Sequence, residues 1–136
     1  MKLIPGVSHV SGHMGCAFIS DDVQKLLRRL VKEYGLDIML EDHDVERATY
    51  RGPKETSEEK VTSFMAMLKS LEPGKTYIHV EHPGLDTAEL RAIHHIGYED
   101  VAADRQGVTD TWTDPRVEAL IKEKGIQLIS YKDLKD

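Results

Sequence analysis

Apolar residues recur at helical spacing in three stretches of the chain, each bounded by capping and stopping residues. In the first, Val23, Leu26, Leu27, Leu30, Val31 and Tyr34 fall on one face. Ser20 stands where a helix is capped, Asp21 and Asp22 suit the positive end of its dipole, and Gly35 supplies a stop. In the second, SEEKVTSFMAMLKSLE, the stripe is Val61, Phe64, Met65, Leu68 and Leu71. Thr56 and Glu59 have capping-box spacing, and Pro73-Gly74 ends the pattern. The third is PRVEALIKEKG, with Val117, Leu120 and Ile121 inward, Thr113 or Asp114 as cap, and Pro115 in the first turn. A further helix through DTAELRAIHH would be capped by Asp86.

Between these stretches lie short apolar runs that predict strands. They are residues 2–4 and 7–10 (interrupted by Pro5-Gly6), LDIML at 36–40, KTYIHVEH at 75–82 and IQLIS at 126–130. EDHDVERATYRGPKE reads as a polar loop, and GYEDVAADRQGVTDTW as a loop with one helical turn. Strands alternating with helices predict an α/β fold: a parallel sheet with helical crossovers, either a small open sheet or partial (β/α)-barrel-like. Ligands of such sheets gather beyond the carboxyl ends of the strands. His82, in HVEHPG at 79–84, stands at such an end.

Composition narrows the partners. A chain of 136 residues is expected to form a single domain, 1–136, with its own core. A net charge of −6 argues against binding a nucleic-acid backbone. No apolar run is long enough to span a membrane. The opening MKLIPGVSHV is too short and too polar for a signal peptide, so a cytoplasmic protein is expected. The single Cys16 fits a reducing compartment and reads as a small buried residue.

Seven histidines are many for this length, and imidazole is a common metal ligand. His9 and His13 are four apart, among Ser8, Ser11, Gly12 and Gly15. They form either a ligand pair or a polar loop. His79 and His82 point to opposite faces of an ideal strand, so they cannot both face one metal there. His82 is the better ligand, whereas His79, between Ile78 and Val80, reads as a buried partner of a backbone or carboxylate group. His94 and His95 lie near a helix end, and His43 sits in an acidic loop with Glu41, Asp42 and Asp44. Arg105 could bind a carboxylate or form a surface ion pair. Trp112 reads first as a core anchor, with an aromatic wall for a sugar as the alternative.

Three segments resemble the YdjC/ChbG-like carbohydrate deacetylases. SHVSGHMG, with its following helix and KEYGLDI, is similar to the family's second-histidine region. IHVEHPGLDTAELR resembles its HPG motif, and ADRQGVTDTWTDPRVEALIKEKGIQLISYKDL its closing section. The likeness spans nearly the whole chain. It implies a (β/α)-barrel-like fold and a metal-dependent hydrolase that removes acetyl groups from N-acetylated sugars. The family holds a divalent cation, zinc or magnesium, with one aspartate and two histidines. By position, His13 and His82 match the metal histidines, His9 the earlier histidine, and Arg105 the family arginine.

Two departures stand out. Ser11 replaces the usual aspartate, and Gly15 a frequent histidine. The family's Asp-Asp motif would fall upstream of Met1, since Asp21-Asp22 opens a helix, so the chain resembles a C-terminal half. Half a barrel would expose apolar faces and edges, which predicts a homo-oligomer or pairing with another chain. The alternative is a non-catalytic binding or assembly module on a degenerate deacetylase scaffold.

Overall fold

The computed structural model describes residues 4, 6–36 and 38–135. Their elements are α1 (Asp21–Glu33), β1 (Val45–Arg47), α2 (Ser57–Ser70), β2 (Thr76–Ile78), α3 (Ala88–Arg91), α4 (Val101–Thr113) and α5 (Pro115–Glu123). Short 3-10 turns cover His13–Phe18, Leu40–Asp42 and Tyr131–Lys135. The chain divides into two compact units, one of residues 1–44 with 128–136, the other of residues 45–127.

The capping residues act as the pattern predicts. Ser20 Oγ accepts from Val23 N at the start of α1. Thr56 and Glu59 form a reciprocal capping box on α2, satisfying N–H groups that the helix itself leaves unpaired. Asp114 caps α5, with Pro115 in its first turn. On α3 the cap is Thr87 rather than Asp86.

The sheet differs from expectation. Among the described residues it has two parallel strands, β1 and β2, joined through α2. Val45 pairs with Thr76, Glu46 with Tyr77 and Arg47 with Ile78. The expected parallel sheet with helical crossovers, partial (β/α)-barrel-like, is therefore overturned in favour of a mainly helical chain with one small β-α-β unit. A strand of a parallel sheet is covered on both faces. The expected last strand has no strand partner, and Leu128 and Ile129 are exposed. Residues 7–10 form no strand either, and Lys2 and Leu3 lie outside the described residues. In 36–40, Leu36 and Ile38 are buried without pairing, Leu40 enters a 3-10 turn, and Asp37 lies outside the described residues.

Two expected loops are ordered. The stretch after Asp44 supplies β1, and the one after Asp100 is the 13-residue helix α4. Its buried face is Val101, Ala102, Gly107, Val108 and Thr111, small and β-branched residues rather than leucines. The core of the second unit gathers Phe64, Val61, Met67 and Leu68 of α2 with Val117 and Leu120 of α5 and Ala48 after β1. In the first unit Ala17, Val31, Leu36 and Ile38 are buried. Much of the α1 stripe faces solvent, since Val23, Leu26, Leu30 and Tyr34 are exposed. Among the described residues no helix is long and apolar enough to cross a membrane.

Candidate functional site

Beyond the carboxyl end of β2 the chain runs through His79, Val80, Glu81 and His82 into Pro83-Gly84. His79 is a largely buried partner of a backbone carbonyl, one of the two roles its apolar flanks suggest. Its Nδ1 lies 2.9 Å from Ala48 O. A carbonyl only accepts, so Nδ1 carries the proton. The buried Nε2 has no hydrogen-bond partner among the described residues, and Glu81 Oε1 is 3.7 Å away. Glu81 is also close enough to Tyr50 for its charge to act on the phenol. Burial, then the charge of Glu81, push the Tyr50 phenol up to about 12. Tyr50 thus stays a neutral donor at ordinary pH.

Aromatic rings surround this group. Phe64, 1% exposed, meets His79 at 5.2 Å and Trp112 at 5.1 Å between centroids, and His79 meets Trp112 at 5.8 Å. Tyr50 packs edge-on against Phe64 at 5.8 Å. Trp112 is 42% exposed, so it closes the aromatic layer from outside and is not the buried anchor expected.

A second polar group joins α2 to α4. Lys60, with only 3% of its side chain exposed, reaches Asp104 Oδ1 at 2.6 Å. Tyr98 donates to Asp104 Oδ2 at 2.5 Å. Burial alone would raise the Asp104 carboxyl, but hydrogen bonds from Lys60 and Tyr98 and the Lys60 charge hold it below its ordinary value. The Lys60 stem lies over Gly107, where a β-carbon would come within 2.9 Å of its Cδ and Cε.

Two of the expected site segments meet here. Gly84 N donates to Arg105 O at 3.1 Å, and Thr109 Oγ1 donates to Gly84 O at 2.8 Å. The HPG turn therefore rests on the arginine-bearing helix. Arg105 is half-buried, and its Nε has no partner among the described residues. His82 is exposed. In the first unit, His9 stacks on Tyr131 with centroids 3.6 Å apart and its Nδ1 lies 3.2 Å from Ser8 Oγ, while His13 is exposed and opens a 3-10 turn. Cys16 is exposed, not buried as expected. His95 pairs with Ile96 O, and Asp42, beside His43, pairs with Arg28.

Among the described residues no three His, Cys, Asp or Glu side chains gather to hold a metal ion. The expected imidazole donors exist, but a complete ligand set does not surround them. The sequence reading also missed Tyr50, Glu81 and Lys60. Lys60 did leave a signal: it shares the α2 face of Val61, Phe64 and Met67, where a cation must find a buried partner.

No protein-family model matches the chain, and no curated protein matches it.

Proposed function

We propose that the chain serves as a cytoplasmic, metal-dependent amide hydrolase that removes acetyl groups from N-acetylated sugars. The supporting observation is the contact of Gly84 with Arg105. It joins the two most specific segments of the family resemblance beyond the carboxyl end of a parallel strand pair. In this reading His13 and His82 are the imidazole donors to zinc or magnesium, and His9 is the accompanying histidine. Arg105 orients an acidic group of the site or of the substrate. Tyr50 is held neutral and is available as a hydrogen-bond donor. Asp104 is committed to Lys60 and Tyr98.

Elemental analysis of the purified protein, with an assay of acetate released from an N-acetylated sugar, tests the reading. Metal content and acetate release are expected to fall together in His13→Ala and His82→Ala and to persist in His43→Ala. Metal content indifferent to both of the first two substitutions would overturn it.

The exposed apolar face of α1 favours a second reading, an assembly module that pairs through Val23, Leu26 and Leu30. Solution molar mass checks this. A dimer that Leu26→Lys converts to a monomer is the expected result, and a wild-type monomer at high concentration removes the idea.

A further inference from the structure

We propose that α1 pairs antiparallel with α1 of a second copy of this chain, Val23 of each copy against Leu30 of the other and Asp22 of each against Arg29 of the other. The inference deepens the assembly reading and rests on it.

Helix α1 divides its apolar residues between two sides. Val31 is 4% exposed and Leu27 is half-buried. Gln24, Leu27 and Arg28 share a crevice with Ala17, Phe18 and Met39 of the same unit, and Arg28 is tied to Asp42. That side holds the helix in its own unit. Val23, Leu26 and Leu30 remain outside it, and Leu26 is the most open of them at 45%. The steps of three and four residues between them are those of a seam between paired helices.

The rim of the seam carries the direction. With Val23 and Leu30 at a and Leu26 at d, Asp22 and Arg29 take the two g positions, on the Leu26 side. Asp22, Lys25, Leu26 and Arg29 line one shallow hollow of the surface there. In an antiparallel pair g faces g, so Asp22 meets Arg29 of the copy, and two-fold symmetry repeats the pair at the other end. In a parallel pair g faces e, and Asp22 and Arg29 would meet Leu27 and Tyr34 with no charge matched. Charge complementarity thus selects a second copy in one direction. Glu33 takes the next d position and ends the seam after about two turns, so the dimer is a reversible one.

A lipid surface is the competing occupant of an amphipathic helix. On α1 the acids Asp22 and Glu33 border the seam, while Arg28 and Lys32 lie on the far side of the helix. An anionic bilayer favours the reverse order.

Solution molar mass of the full chain, measured by sedimentation over a concentration series in low salt, tests the pairing. Wild type is expected to associate reversibly into a dimer. Asp22→Lys makes both rim ends cationic and Arg29→Glu makes both anionic, so each variant alone should dimerise about tenfold or more weakly. An equimolar mixture of the two should regain wild-type association, since each cation then faces an acid. In a Cys16→Ser background, Val23→Cys and Leu30→Cys should cross-link to each other under mild oxidation and neither to itself. Where a charge variant fails to fold, the cysteine pairing decides. A mixture of folded variants that associates no better than its components overturns the antiparallel pair, as do self-linked Val23→Cys dimers. A dimer that Leu26→Lys breaks but both charge variants leave intact removes the antiparallel pair and keeps the assembly reading. A wild-type monomer removes both, and so does a monomer that sediments with phosphatidylserine vesicles.

Discussion

Gly84 lies so close to Arg105 that a β-carbon at position 84 would sit 3.1 Å from the arginine Cβ and 2.8 Å from Leu90 Cδ2. One of these neighbours is the root of a helix side chain and cannot swing away. Gly84→Ala is therefore expected to destabilise the chain by about 1–3 kcal/mol, the usual cost of overpacking. Urea unfolding measures it. A loss under about 0.5 kcal/mol, the range of neutral surface changes, would show that the turn does not rest on α4.

The Lys60–Asp104 pair should respond asymmetrically to its two deletions. Asp104→Asn strands an ammonium in a site where only 3% of its side chain is exposed. Breaking a fully buried pair costs about 3–5 kcal/mol. Asp104 is 39% exposed, so solvent screens part of the interaction, and about 2–3 kcal/mol is expected. Lys60→Met leaves Asp104 with Tyr98 and solvent and should cost less. Equal losses in the two variants would contradict the burial of Lys60.

Asp104 also fixes the sign of an acid dependence. Its folded carboxyl is held below the ordinary 3.8, so the unfolded chain binds the proton more readily. Its contribution is present above that value and is lost as pH falls through the folded one. Stability of the wild type should thus drop more steeply below about pH 4 than that of Asp104→Asn. Parallel denaturation curves for the two proteins across the acid range would refute this.

Tyr50 sets the opposite limit. Its phenol is raised from 10.0 to about 12, so its contribution is complete below 10 and is lost as pH rises through the folded value. An ultraviolet titration should show late phenol ionisation from Tyr50 and Tyr98, and Tyr50→Phe should remove one of the late steps. Glu81→Gln should move it down, since the Glu81 charge is among its causes.

The helix caps offer a simpler measurement. Thr56→Ala removes the hydroxyl that accepts from Glu59 N and should cost about 1 kcal/mol in thermal or urea unfolding. No measurable change would mean that the start of α2 is held by tertiary contacts alone.

What could be read in advance was local. Ser20, Thr56 and Asp114 announce helix starts because a side-chain oxygen can satisfy a nearby N–H without help from the rest of the fold. HPG and Arg105 were recognisable as segments, although nothing in their spacing fixed the hydrogen bond between Gly84 and Arg105. The sheet was over-read because a short apolar run does not say whether it has a strand beside it, and Leu128 and Ile129 have none. Helix α4 was under-read because Gly107, Val108 and the threonines are poor helix formers. Tertiary packing overrides that preference, and it is the same packing that brings Tyr50, His79 and Trp112 together from three distant places.

The missing side chain at Gly107 has an effect on how α2 and α4 can drift apart in evolution. It works as a slot and the Lys60 stem as the key that lies in it, so the two positions are coupled as one unit of inheritance. Filling the slot would be tolerated only after the key had shortened, and a shorter key would no longer reach Asp104. Homologous chains that differ here should have changed all three positions in concert.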